Sequence, residues 1–270
     1  PCVILWSLGN EGAVGPNIEA MYNKVRELDN TRPPFYDSDR RYSCIWDDSY
    51  LYPDDLRKNA QQVTDKPFMM REYAHAMGNS CGNLQEYWDV IYADSSICGA
   101  AIWDWVDQGL LKDGYYAYGG DYGDKPNLDA FCINGLIAPN RKPHPHYYEV
   151  QYVYQPLKFS LEGDDIRIIN RDFFTSIDEY DIIRDTVIVG TERLLNIYAC
   201  LKEDKPWAKK GFVVAREQFV LQPWEWKQPT PKGSGKGSVT IDGNNLTSWI
   251  VDGHEVLQAP LEPYFWKPEN

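Results

Sequence analysis

Two glutamates and a tryptophan stand where short apolar runs stop. Glu11 follows the run 3–8, in Leu8-Gly9-Asn10-Glu11-Gly12, and Glu72 follows the run 67–70, in Arg71-Glu72-Tyr73-Ala74-His75. Trp103, Asp104 and Asp107 follow a third run, 97–102. Two carboxyl groups brought together at strand ends suit glycoside hydrolysis, in which one protonates the leaving oxygen and the other attacks the anomeric carbon. That division of labour asks one carboxyl to be protonated and the other ionised at the working pH. Taken singly, these residues have plainer readings. A glutamate after a strand is often a solvated loop charge or a favourable charge at a helix start; a lone His75 is more often structural, and a lone Trp103 more often core.

Paired chemistry of this kind needs strands to carry it and helices to cover them. Residues 3–8, 33–36, 67–70 and 97–103 are continuous apolar runs that read as buried strands. Ile18, Met21, Tyr22, Val25 and Leu28 recur with helical spacing until Pro33-Pro34, and Leu84, Tyr87, Trp88 and Ile91 form a second helical stripe. Strand–helix alternation with non-alternating strands predicts a parallel sheet with helices outside. The polar clusters then lie at the C-terminal ends of the strands, the catalytic face of a (β/α)8 barrel. After about Pro156 the texture changes to short strand-like segments such as 166–169, 194–201 and 212–215, which predict a small β-sandwich over 158–227. Residues 228–237 (QPTPKGSGKG) read as a linker. Residues 238–270, with a hairpin turn at Asp242-Gly243-Asn244-Asn245, read as the start of a further β-domain, being too few for a core of their own.

Composition narrows the partners. The 270 residues carry 40 acids against 27 bases, a net charge of −13, which repels phosphate backbones and argues against nucleic-acid binding. No segment reaches the roughly 18 apolar residues of a membrane span. The opening Pro1-Cys2-Val3-Ile4-Leu5-Trp6 is too short and uncharged for a signal peptide, and no compartment is legible. The six cysteines are scattered without a CxxC pair, which excludes a zinc ribbon or thioredoxin motif; Cys2 and Cys98, within apolar runs, read as small core residues. The 19 Tyr, 10 Trp and 9 Phe serve as core and sheet filler or as platforms for sugar rings, and composition by itself favours filler.

The strings at the strand ends go further. WSLGNEG (6–12), REYAHAMGNS (71–80), WDWVDQGL (103–110), YGGDYGD (118–124) and FCINGLI (131–137) stand in the order in which glycoside hydrolase family 2 carries them, and the chain resembles the β-galactosidases of that family. The resemblance covers residues 1 to about 157 well and continues more loosely through 201–219 and 259–270. It implies the central to C-terminal part of a catalytic (β/α)8 TIM barrel followed by an all-β immunoglobulin-like sandwich. It implies Glu11 as general acid/base, Glu72 as nucleophile, Asn10 as a partner of the sugar 2-hydroxyl, His75 as a sugar and transition-state contact, and Trp103 as the floor under galactose. It also implies a tyrosine that hydrogen-bonds the nucleophile, placed at Tyr52 although SYLYPDD (49–55) departs from the usual pattern. By the same resemblance Glu11 is a Mg²⁺ ligand, and Phe131 (through its carbonyl) and Asn134 are Na⁺ ligands; oxygen donors suit hard cations.

A full barrel needs about 250 residues, whereas four or five strands are readable before residue 157. The sequence therefore reads as entering a barrel near its fourth strand and as inactive by itself, within a homo-oligomeric full-length β-galactosidase acting on β-galactosides such as lactose. Two alternatives stay open: another family 2 glycosidase, such as a β-glucuronidase or β-mannosidase, and a catalytically incomplete sugar-binding fragment.

Overall fold

The computed structural model describes residues 3–63, 65–227 and 236–263. Most of the expected linker, and the end of the segment that follows it, lie outside the described residues. The chain divides into two compact units, the first running to Gln155 and the second starting at Pro156.

In the first unit the strands pair in chain order and in parallel. β1 (Trp6–Ser7) lies beside β2 (Pro34–Phe35). β3 (Trp46–Asp47), β4 (Phe68–Tyr73) and β5 (Ile97–Ile102) form a second parallel sheet. The Cys44 N–H donates to the Pro34 carbonyl at 3.0 Å, so the entry to β3 continues from β2. Helices fill the crossovers: α1 (Pro16–Leu28), α2 (Pro53–Gln62) and α3 (Leu84–Ala93). Both α1 and α2 open on a proline, which has no N–H to leave unsatisfied in the first turn. After β5, a short hairpin of β6 (Leu110–Lys112) and β7 (Tyr115–Ala117) intervenes. The chain then returns so that Ile137 bridges Val106 in parallel, and α4 (Pro145–Val153) closes the unit. This is the strand–helix order of a (β/α)8 barrel.

The core forms where β4 and β5 meet three helices. Leu56 and Ala60 of α2, Phe68, Met70 and Tyr73 of β4, Leu84, Val90 and Ile91 of α3, and Val150 and Val153 of α4 are buried together. A fully buried Leu or Met contributes about 1.5–3 kcal/mol. The Tyr73 hydroxyl meets the Tyr154 hydroxyl at 2.6 Å and accepts from Trp88 Nε1 at 2.8 Å, and burial pushes it far above an ordinary phenol.

Several local expectations change. The run 3–8 narrows to a two-residue strand, with Val3 and Ile4 exposed. α1 forms where the spacing placed it but buries no residue, and Met21 and Leu28 face solvent. α2 and β3 escape sequence reading because α2 buries only Leu56 and Ala60 and β3 is two residues long. Cys98, expected in the core, is exposed.

In the second unit β8 (Leu157–Glu162) and β9 (Asp165–Asn170) form one antiparallel pair. β10 (Tyr180–Val189), β11 (Glu192–Leu201) and β12 (Val213–Gln222) form an antiparallel sheet. Leu157, Phe159, Tyr180, Ile197, Leu201 and Ala215 share one core between them. β13 (Gly237–Asp242), β14 (Asn245–Val251) and β15 (His254–Glu255) form a third small antiparallel sheet. Its first turn is the expected one: Asp242 pairs with Asn245 across two residues, and Gly243 supplies the left-handed φ of 60°.

Candidate active site

A cleft of about 470 Å³ opens at the C-terminal ends of the parallel strands, lined by Asn10, Glu11, Tyr50, Glu72, His75, Met77, Trp103 and Phe131. A larger cleft, about 590 Å³, lies at the opposite ends of β4 and β5 near Lys66 and Ser96, but it holds no paired glutamates. Chemistry rather than volume selects the first.

Each side chain arrives by a local device. Glu11 follows β1 in a left-handed conformation, φ 48°, with its N–H donated to Asp37 Oδ2 at 3.0 Å. Its carboxylate is 71% exposed. Glu72 stands near the end of β4 and is 13% exposed. Between Met70 and Tyr73 the β4–β5 register slips by one residue. Such a bulge breaks the two-residue alternation; Glu72 lines the cleft, and adjacent Arg71 braces it from outside the lining.

Arg71 is the hub. Its Nε donates to Asp47 Oδ2 at 2.8 Å and its Nη1 to Glu72 Oε1 at 2.9 Å. Its Nη2 lies 3.4 Å from Asp37 Oδ2 and 3.6 Å from Glu11 Oε1. The same guanidinium also bonds Asn10 Oδ1. Burial works to lower the Arg71 pKa, but the Asp47 hydrogen bond and the charges of Asp37, Asp47 and Glu72 outweigh it and leave it raised. Asp47 is held above the usual carboxylate range by burial, against the pull of Arg71.

The second contact to the nucleophile candidate corrects the tyrosine assignment. Tyr50, not Tyr52, donates its hydroxyl to Glu72, reaching Oε2 at 2.9 Å, and its backbone N–H donates to the Glu72 carbonyl at 3.0 Å. Burial, followed by the Glu72 contact and charge, pushes the Tyr50 hydroxyl well above its ordinary value, so it stays a neutral donor. Tyr52 caps α2, is 72% exposed and lines a separate groove with Asp54, Arg57 and Asp89. Replacing Tyr50 with Phe is expected to lower kcat/KM of the full-length protein about 10²-fold, whereas Tyr52→Phe leaves it within twofold. Equal effects in steady-state assays of the two variants would refute the assignment.

The remaining predicted residues come together. His75 packs between Tyr50 and Phe131, ring centroids 6.2 and 5.4 Å away, and its buried Nε2 has no hydrogen-bond partner. Trp103 is fixed by backbone bonds to both sides of the β4 end, its N–H to the Tyr73 carbonyl and its own carbonyl from the Ala76 N–H. The Trp103–Asp104 peptide is cis. Asn134 is buried beside this segment, and its Oδ1 has no hydrogen-bond partner. That orphaned oxygen fits a hard monovalent cation. A magnesium ion does not fit the described residues by themselves. Among them no group of three or more His, Cys, Asp or Glu could hold a metal, and Glu11 faces a guanidinium. Arg71 and Tyr50 went unrecognised in the sequence, although Arg71 adjoins Glu72 and Tyr50 lies two residues from the tyrosine chosen.

Among the described residues no helix is long and apolar enough to cross a membrane. Residues 1–159 match the model of the glycosyl hydrolases family 2 TIM barrel domain, and residues 183–222 match that of β-galactosidase domain 4. The β-galactosidase of Vibrio cholerae is 33% identical, over 99% of this chain and 33% of its own length. That of Priestia megaterium is 32% identical, over 99% of this chain and 32% of its own. The chain thus spans about a third of the length of these relatives. A β-galacturonidase structure from Eisenbergiella tayi superposes with a TM-score of 0.41 and 18% identity, over 56% of this chain and 33% of that one. With its catalytic-barrel domain matched over residues 1–159, the chain belongs to glycosyl hydrolase family 2.

Proposed function

We propose that this site carries the chemistry of a retaining β-galactosidase. The observation that carries the reading is that Glu11 and Glu72 share one cleft and one guanidinium, with Tyr50 donating to Glu72 alone. Contact with a common guanidinium keeps the two carboxyls on one side of the cleft, and the retaining course follows from the family resemblance. Glu72, held at one oxygen by Arg71 and at the other by Tyr50, attacks the anomeric carbon. Glu11, exposed toward the cleft, gives its proton to the departing glycosidic oxygen. Glu11 then takes a proton from water, whose oxygen attacks the anomeric carbon and displaces the Glu72 carboxylate, freeing galactose. Asn10, its Oδ1 engaged by Arg71, offers its amide N–H to the sugar 2-hydroxyl, a contact that strengthens as positive charge develops on the ring. Trp103 gives the sugar its apolar floor and His75 a polar wall.

Asn134 Oδ1 and the Phe131 carbonyl would hold the Na⁺ expected from the resemblance, and such an ion would bind and orient a sugar hydroxyl. The five strands β8–β12 around one core are read as the small immunoglobulin-like sandwich expected there. Galactoside is favoured over uronide because the described lining of the cleft contains no Lys or Arg to meet a sugar carboxylate, and Arg71 is occupied by protein carboxylates. The names of the curated relatives agree. The test compares nitrophenyl β-galactoside with the glucuronide on the full-length protein. Preferential galactoside turnover is expected; faster glucuronide hydrolysis, or galactose binding with no turnover of either, overturns the reading.

A further inference from the structure

Two walls of the cleft come from segments that run side by side. Trp103 heads one, residues 103–108, and Phe131 heads the other, residues 131–137. They are laced by backbone bonds: Asp104 N–H to the Asn134 carbonyl at 2.7 Å, Leu136 N–H to the Asp104 carbonyl at 3.0 Å, and Gln108 N–H to the Cys132 carbonyl at 2.9 Å. At Gly135 they press so close that an added Cβ would lie 2.1 Å from the Asp107 nitrogen. A buried carboxylate ties this seam. Asp107 is 5% exposed; its Oδ1 accepts the Gly135 N–H at 2.7 Å, and its Oδ2 lies 2.7 Å from His144 Nε2. A carboxylate only accepts, so the His144 proton sits on Nε2. The His144 backbone N–H donates to the Leu136 carbonyl at 3.1 Å, and His146 Nε2 lies 3.1 Å from the Gly135 carbonyl. Among the described residues none of these hydrogen-bonds either glutamate, yet the seam ends at Trp103, Phe131 and the orphaned Asn134 Oδ1.

We propose that Asp107 and His144 are positioning residues: a clamp that holds the 131–137 segment against 103–108 and so sets how tightly the site binds its sugar. The proposal rests on the galactosidase reading and adds to it a specific division, in which the glutamate hub governs turnover and the clamp governs affinity. Cutting the clamp leaves Glu11, Glu72, Arg71 and Tyr50 in place while loosening the floor and the Asn134 pocket.

The experiment uses the full-length protein as wild type, His144→Ala and His144→Gln, the last retaining a side-chain N–H donor for Asp107. Losing a hydrogen bond to a charged partner is expected to raise KM for nitrophenyl β-galactoside and the calorimetric Kd for galactose about tenfold. The kcat stays within threefold, and Gln restores most of the affinity. In parallel, amide hydrogen exchange over 131–137 is expected to quicken in His144→Ala and to return toward wild type in His144→Gln. Unchanged KM, Kd and exchange in His144→Ala overturn the clamp, as does a fall in kcat with affinity intact. A wild type that neither binds nor hydrolyses galactoside sinks the functional reading instead, and the exchange measurement then decides the clamp by itself.

Discussion

Replacing Glu72 with Gln is expected to lower kcat for nitrophenyl β-galactoside by on the order of 10⁴-fold or more in the full-length protein, as removal of a covalent nucleophile does elsewhere. Glutamine keeps the volume and one acceptor oxygen, for Tyr50 or Arg71 but not both, so the cleft should persist and galactose should still bind while the bond to the anomeric carbon is lost. Glu11→Gln should behave differently. A poor leaving group needs its proton, whereas a nitrophenolate departs nearly unaided, so this variant should lose far more activity on lactose than on the activated substrate. A fluorinated galactoside that traps the covalent intermediate should leave its sugar on the peptide containing Glu72. Label on the Glu11 peptide would exchange the two roles, and undiminished turnover by Glu72→Gln would remove this residue from the chemistry.

The second large effect is expected at Arg71. Asp47, Asp37 and Glu72 around it are 6%, 7% and 13% exposed at their side chains. Arg71→Met strips these carboxylates of their countercharge, and breaking a buried ion pair from one side costs about 3–5 kcal/mol. Turnover should fall about 10²–10³-fold as Glu72 loses one of its two anchors. Arg71→Lys keeps the charge but not the planar fork that reaches several partners at once, and should recover more stability than activity. The pH dependence has a defined sign. A carboxyl whose folded pKa is raised, as at Asp47, contributes stability at low pH that is lost as pH rises through the folded value. Removing the guanidinium, which pulls the Asp47 carboxyl down, raises it further. The stability gap between wild type and Arg71→Met should therefore be small in acid and widest near neutrality. Denaturant unfolding at several pH values reads it, and a gap independent of pH would assign the loss to packing instead of charge.

Much of the architecture could be read from local pattern because the local pattern was dense. β4, β5 and α3 appear close to where apolar runs and the Leu84–Ile91 stripe put them, since these elements bury enough side chains to declare a period. β3, with two residues, and α2, with two buried side chains, declare none. Their positions depend on pairing with β4 and packing on α3, interactions distant in sequence.

The site divides along the same line. The types and order of Asn10, Glu11, Glu72, His75 and Trp103 were determined by the sequence, because each stands at or just after the end of a strand and parallel pairing brings strand ends to one face; Phe131 sits in a short 3-10 helix, Asp129–Cys132, and was named only through the resemblance. What only tertiary structure decided is which neighbours reach the glutamates. Tyr50 turns to Glu72 because its backbone is left-handed, φ 59°, while Pro53 starts a helix that carries Tyr52 away. Arg71 braces Glu72 where the register slips against β5, and it finds Asp47 because β3 pairs with β4 at Met69. Handedness, slip and register arise from interactions between distant segments, and no count of residues along the chain contains them.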